Sequence, residues 1–415
     1  MQHSQNEAFE RAFEQRAPKR HVKGTHRTVG PAETLARARQ VAPSMGITRI
    51  ANVTGLDVVG IPVTMVVRPN ARSLSVSQGK SLDLDAAKAS GIMESIELHH
   101  AENVERPLRF CTAEELRREH SVADLAALSR PSNSIFHDDL PMLWIEGFDL
   151  VDRRSTWVPY EMVSLNWRLP LPPGHGSFTS SSNGLASGNT LLEATSHAIC
   201  ELVERDATAL SYASGVPATI IDLATIDDPD CRTALEMYEA AGFEVFVFDI
   251  TSDVGVPAFS CIVVDPAQGH VVDYRRAGGD GCHLDRNIAL LRALTEAAQS
   301  RLTMIAGSRD DLARRAYQPG ADVGRRLEHE GRTRANGDFR AVETLATDDL
   351  RDDVVRLLAM LRKAGLEHVI AFDLSRPDLP FSVVRAIVPG LEGMRTAPNY
   401  RPGARAQRAM RSAPA

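Results

Sequence analysis

The residues best equipped for chemistry lie between positions 180 and 205, in the stretch SSSNGLASGNTLLEATSHAICELVER. A polar loop with Asn183, Gly184, Gly188 and Asn189 runs into a helix whose start is marked by Thr190 and, three residues on, Glu193, the spacing of a capping box. At about 100° per residue, Glu193, His197, Glu201 and Glu204 fall within an arc of roughly 80° on a helix that is otherwise mostly apolar. Carboxylates gathered in this way are costly to bury unless they are paired or hold a cation, and a hard cation such as Mg²⁺ takes oxygen ligands. The plainer alternative is that Glu193 only caps the helix, while Glu201 and Glu204 are solvated or pair with Arg205.

Two further segments repeat the pattern. In AAKASGIMESIELHHAE, Ser90, Glu94 and Glu97 stand at i, i+4 and i+7; in LLRALTEAAQSRL, Arg292, Glu296 and Gln299 do the same. A single polar stripe on a helix usually faces water. Three of them, one preceded by a Gly/Asn loop, point to helices converging on a shared cation and phosphate site. Gln78-Gly79-Lys80-Ser81 looks like the end of a phosphate-binding P-loop, but that motif needs a glycine where Leu74 stands. Of the histidines His99, His100, His175 and His197, the last, on the acidic face, is the best placed for proton transfer.

These residues need elements to position them. ITRIANVTGLD and IPVTMVVRP read as two paired strands. AGFEVFVFDITSDVGVPAFSCIVVDP and AGLEHVIAFDLSRPDLPFSVVRAIVPG share one phrase: a helix ending at Ala-Gly, a strand to an Asp, a turn, then a second strand. They read as duplicated α-β-β units at 232–266 and 351–390. AEELRREH and SVADLAALSR look helical, and LWIEGFDLV-DRRS-TWVPYEMVSL looks like a hairpin. The fold class expected is α/β (α+β mixed), with mixed sheets and internal pseudo-symmetry.

Composition bounds the function classes. The chain has 415 residues, 43% of them apolar, enough for one large domain or two ordinary ones. It has no apolar run of membrane-spanning length and no apolar signal core, so no membrane association and a cytoplasmic location are expected. Five scattered cysteines without a C-x-x-C pair indicate neither a zinc site nor a disulfide framework. The net charge of −7 argues against nucleic acid as a partner. Basic clusters at Arg314/Arg315, Arg325/Arg326 and positions 401–411 read as solvated surface.

In SNGLASGNTLLEA with ELVERDA, in S-x-x-x-E-x-x-E from Ser90 to Glu97, and in R-x-x-x-E-x-x-Q-x-R from Arg292 to Arg301, the chain resembles the YcaO family of ATP-dependent enzymes that modify peptide backbones. GITRIANVTGLDVVGIPV and RPNARSLSVSQGK extend the resemblance over most of residues 25–395. It implies a YcaO-type fold with packed helices: a flexible extension at 1–24, an ATP-binding catalytic domain at 25–395 and a basic tail at 396–415. ATP and Mg²⁺ are the implied cofactors. Glu94, Glu97, Glu201, Glu204 and Glu296 are the implied metal ligands, and Glu94, Glu97, Glu201, Glu204 and Arg205 the catalytic set. Lys80, Ser90, Ser182, Asn183, Glu193, Arg292, Glu296 and Gln299 are expected around the nucleotide, with Lys23, Arg27 and Thr28 as further phosphate contacts. Two positions depart from the family: Ser81 replaces a common glycine after Lys80, and Leu98 follows Glu97 where many relatives carry arginine, so one cation of the site must come from elsewhere.

The resemblance also implies a reaction: ATP-driven O-phosphorylation of a backbone amide. Azoline-forming relatives use a side chain of the substrate as nucleophile and often end in a proline-rich tail; thioamide-forming relatives use an external sulfur donor and act with a TfuA protein. The ending MRSAPA and the VPGLEG segment favour the TfuA-associated, thioamide-forming type acting on a ribosomally made peptide or protein. An azoline-forming cyclodehydratase and a catalytically silent peptide-binding scaffold are the alternatives; the unbroken set of acidic positions speaks against the scaffold. The oligomeric state is open, a homodimer being one option.

Overall fold

The computed structural model describes residues 5–215, 218–266, 276–312, 335–397 and 399–412; Arg314, Arg315, Arg325, Arg326 and the last three residues lie outside them. In chain order the elements are α1 (Gln5–Glu14), α2 (Pro31–Val41), β1 (Arg49–Asn52), β2 (Val63–Val67), β3 (Val76–Lys80), α3 (Leu84–Glu102), β4 (Leu108–Cys111) and α4 (Ala113–Glu119). Then follow β5 (Met142–Asp149), β6 (Arg154–Pro159), β7 (Leu185–Gly188), α5 (Leu191–Ala213), β8 (Thr219–Ile220), α6 (Pro229–Ala240), β9 (Glu244–Asp249) and β10 (Ala258–Val264). Last come β11 (Arg276–Cys282), α7 (Arg286–Ala306), α8 (Leu350–Lys363), β12 (Ile370–Asp373), β13 (Ser382–Ile387) and α9 (Ala404–Arg411).

Each acidic helix is launched by a strand and a side-chain cap. Asp83 accepts from the Ala86 amide at 2.9 Å before α3, Thr190 from Glu193 at 3.2 Å before α5, and Asp285 from Asn287 at 2.8 Å before α7. These bonds satisfy amides that the first helical turn leaves without partners.

The chain forms two units. The unit of residues 21–95 and 217–346 holds an antiparallel sheet in the order β1-β2-β3 and another in the order β11-β10-β9-β8. A Cβ at Gly79 on β3 would overlap the Ala87 carbonyl and Gly91 amide of α3, and one at Gly279 would overlap α7 at Ala293 and Ala297. Only glycine lets a helix backbone lie this close on a strand, so β3 fixes the height of α3 and β11 that of α7. Beneath them Tyr238, Phe243, Phe259, Leu290, Leu294 and Phe339 form the core, and the Tyr238 hydroxyl donates to the Leu294 carbonyl at 2.8 Å.

The other unit, residues 1–20, 96–216 and 347–415, is built on a six-stranded sheet, β4-β5-β12-β13-β7, with β6 paired to β5. Helix α8 leads into β12 and β13, as α6 leads into β9 and β10; β13 then pairs with β7, which launches α5, as β10 pairs with β11, which launches α7. This recurring order is the internal pseudo-symmetry of a mixed α/β fold. Among the described residues no helix is long and apolar enough to cross a membrane.

Phe9 of α1 is fully buried and stacks on Phe148 at 5.9 Å, and Asp349 accepts from the Ala17 amide at 3.0 Å and from Arg16 at 3.1 Å. Two local expectations are corrected. The basic tail is not all solvated, because Arg405 of α9 is buried against Asp206. Residues 121–130 are not helical: Val122 bridges to Trp157, and the Asp124 carboxylate accepts from the Ala126 amide at 2.9 Å, a local bond that competes with helix.

Candidate functional site

In the unit of residues 21–95 and 217–346, the launch of α3 from β3 brings Glu94 back beside the strand. Its carboxylate accepts from the Gln78 amide at 2.7 Å. Burial pushes the Glu94 pKa upward, against the pull of that amide and of Arg309 and Lys80, while the charge of Glu296 adds to the rise. Lys80 and Glu296 form an ion pair at 2.6 Å whose side chains keep 22% and 23% exposure, so the pair is within reach of a ligand. Gln299 donates to the Gln78 side-chain oxygen at 3.4 Å, and Thr303 to the same oxygen at 2.6 Å. Arg292 donates to the Cys282 carbonyl at 3.3 Å, and Ser90 is exposed on α3. The sequence reading missed Arg309 and Gln78. Arg309 lies beyond the α7 cap at Gly307, where no periodicity gives it a direction, and it forks onto Asp311.

In the other unit, Glu97 accepts from both the amide and the hydroxyl of Ser187 on β7, each at 2.7 Å. Glu193 is buried and reaches back to Asn189, accepting from its backbone and side-chain nitrogens at 3.1 Å each. The Thr190 cap forms as expected, but the carboxylate passes over Thr190 to the preceding residue and holds the Gly188-Asn189 turn. Between residues 192 and 207 of α5, only His197, Glu201 and Arg205 are not buried, a line at i, i+4 and i+8. Glu204 is buried beside that line and pairs with Arg205 at 3.6 Å. Ser182 is exposed at the entry to β7, and the side-chain oxygen of Asn183 is buried without a hydrogen-bond partner.

Arg385 on β13 was also missed by the sequence reading, since it sits inside an apolar strand, SVVRAI, that reads as core. It is 3% exposed, and Glu201 supplies a nearby opposite charge. Asp149, Asp152 and His368 also gather within 4.8 Å, but Asp149 accepts from His368 at 2.7 Å and from the Val151 amide at 3.0 Å, as expected of a residue holding the β5–β6 turn. His100 is buried with its Nδ1 2.7 Å from the Ile96 carbonyl, and burial raises the Cys231 and Cys261 thiols, so these groups are structural.

The donor set suits a magnesium nucleotide. Each unit presents carboxylate oxygens, hard ligands for Mg²⁺, beside a cation suited to phosphate: Glu94 and Glu296 with Lys80 in one, Glu201 and Glu204 with Arg205 in the other.

The family described as YcaO cyclodehydratase, ATP- and Mg²⁺-binding, matches residues 78–392. An uncharacterized protein in the tfuA 3′ region of Rhizobium leguminosarum bv. trifolii is 39% identical over 379 residues, 88% of each chain. Among solved structures, a heterocyclase in complex with substrate and cofactor superposes with a TM-score of 0.78 at 23% identity, over 94% of this chain and 55% of the heterocyclase, so this chain spans about half of that protein. YcaO from Methanopyrus kandleri, bound with AMPPCP and Mg²⁺, superposes with a TM-score of 0.71 at 22% identity, over 91% of this chain and 95% of that one. These likenesses confirm the expected fold.

Proposed function

Because the chain belongs to the YcaO family, whose cofactors are ATP and Mg²⁺, we propose that it activates a backbone amide of a peptide or protein for thioamide formation, with a TfuA-like partner and a sulfur donor. The carrying observation is the line of His197, Glu201 and Arg205, left accessible on a helix otherwise buried, with Glu204 paired beside it. The residue types on this line are those that hold a metal-bound polyphosphate. The 39% identical relative in a tfuA 3′ region supports the TfuA-associated type. A cytoplasmic location fits this role.

ATP supplies the phosphoryl group that makes an amide oxygen a good leaving group, and Mg²⁺ neutralises phosphate charge. In the balanced reaction, hydrosulfide sulfur bonds to the amide carbon, the oxygen departs on phosphate, and ATP becomes ADP. The protein's part is to position. In the unit of residues 21–95 and 217–346, Glu94 and Glu296 offer metal ligands and Lys80 and Arg292 donors to phosphoryl oxygens, with Ser90 and Gln299 beside them. In the other unit, Glu97, Glu201 and Glu204 offer metal ligands and Arg205 a phosphoryl donor, with Ser182, Asn183 and Glu193 beside them.

Mass spectrometry of a cognate peptide tests the chemistry: exchange of one oxygen for sulfur is expected, and loss of one water instead would make the protein an azoline-forming cyclodehydratase, the reading favoured by the heterocyclase likeness. Thermal unfolding tests the cofactor. Mg-ATP at a hundredfold excess over Kd is expected to stabilise the protein by about 2.7 kcal/mol, and an unchanged transition would refute the nucleotide reading.

A further inference from the structure

A guanidinium is among the costliest groups to leave buried without partners, because it is always charged and its five N–H donors each need an acceptor. Arg385 is in that position. Its side chain is 3% exposed, and neither Nε nor Nη1 has a hydrogen-bond partner. Its strand cannot turn it outward: β13 lies between β12 and β7, with Arg385 opposite Phe372 on one side and Leu185 on the other, and β13 is buried from Val383 to Ile387. The carboxylate of Glu201 attracts it, yet burial dominates and lowers the Arg385 pKa to about 10. Elsewhere in the same unit a buried arginine is fully matched: Arg405 forks onto both oxygens of Asp206. The contrast separates an arginine that holds the fold together from one whose acceptors are missing.

We infer that Arg385 receives a phosphoryl oxyanion, its Nε and Nη1 filling the role for which no protein acceptor is provided, beside the Glu201 stretch of α5. The inference rests on the reading of this region as a nucleotide site, and it adds a phosphoryl-binding residue from a strand none of the acidic helices contributes. Nε–H and Nη1–H point along different edges of the guanidinium plane, so each can donate a charge-assisted bond to an oxyanion oxygen that the protein does not supply. Nearby, the buried Asn183 oxygen lacks a donor, and the adjacent Gly184 carbonyl accepts from the Ala386 amide at 2.7 Å, so the start of β7 is fixed to the strand that carries Arg385.

The test uses the full chain with Arg385→Met and Arg385→Lys, each titrated with Mg-ATP, Mg-ADP and inorganic phosphate, and melted without ligand. For Arg385→Met the inference expects an unchanged or raised melting temperature, since an unpaired buried charge is removed, together with a rise in Mg-ATP Kd of about tenfold or more. Arg385→Lys keeps a charge but loses the separate Nε and Nη1 donors and should weaken Mg-ATP by a smaller factor. A defect with Mg-ATP alone places the arginine at the terminal phosphoryl group, one shared with Mg-ADP places it at an inner phosphate, and one seen with inorganic phosphate places it at the released product. Wild-type affinities for all three ligands in both variants would overturn the inference. So would a lowered melting temperature with unchanged affinities, which would make Arg385 a structural residue. A wild-type protein that binds phosphate but not Mg-ATP would sink the nucleotide reading while the phosphate titration still decides Arg385.

Discussion

The pair formed by Asp206 and Arg405 ties the last helix to the turn of α5 that carries Glu204 and Arg205, and its removal has a calculable effect. Asp206 is fully buried and Arg405 is 5% exposed. The guanidinium donates from Nε at 2.9 Å and from Nη2 at 2.8 Å, and the Glu392 amide adds a third bond to Asp206 at 2.9 Å. Glu392 in turn accepts from the amides of Ala406 at 2.8 Å and Gly403 at 2.9 Å. Arg405→Met would strand a buried carboxylate and Asp206→Asn a buried guanidinium, each a loss of about 3–5 kcal/mol. The double variant leaves no stranded charge, so it should lose less than the sum, giving a coupling of about 2–4 kcal/mol in a double-mutant cycle measured by urea unfolding. Since Arg205 is next in the chain, the single variants should also bind Mg-ATP more weakly, with recovery in the double variant. Losses that add to within about 0.5 kcal/mol would refute the view that this pair locks the helix.

Further outcomes follow from the same structure. Glu201→Gln keeps the shape of a candidate metal ligand but removes its charge, so ATP consumption and peptide modification should fall together without loss of fold; wild-type turnover would exclude Glu201 from the metal site. Arg205→Lys keeps the charge but not the planar fork, and should weaken nucleotide use while Mg²⁺ binding, followed by calorimetry, persists. Burial raises the Glu161 pKa from 4.5 to about 7 despite the Gly176 and Phe178 amides that bond its oxygens at 2.7 and 2.6 Å. A carboxyl with a raised folded pKa stabilises fully below its unfolded value and loses that stabilisation as pH rises through the folded value, here about 3 kcal/mol between pH 4.5 and about 7. Chemical denaturation across that window should show the decline, and Glu161→Gln should remove it; an identical slope in the variant would exclude Glu161 as its source. Gly279→Ala places a Cβ inside the backbone of α7 and should cost about 1–3 kcal/mol or more, read as a lowered melting temperature.

Sequence periodicity exposed the acidic helices because a 3.6-residue repeat leaves its mark within one element. Glu94, Glu201 and Glu296 could be placed on faces without knowing the fold, and the Thr190 cap was visible from Thr190 and Glu193 alone. What the pattern could not give was anything decided across elements. Arg385 reads as an interruption in an apolar strand, and only the pairing of β13 with β12 and β7 shows that it cannot reach solvent. Arg405 sits in a basic run that looks solvated, and its burial depends on Asp206, 199 residues away. Arg309 follows the end of α7 in a loop with no repeat. The packing of Phe9 on Phe148 is likewise a long-range contact that no local pattern announces.

The two arginines then mark a division within one charge type. Arg405 has two acceptors in the fold, so its desolvation is offset before any ligand arrives, and its loss should be felt first in stability. Arg385 has Nε and Nη1 unmatched, so its desolvation is borne by the unliganded protein and recovered when an oxyanion binds. Such a residue persists only where the gain on binding outweighs the standing cost.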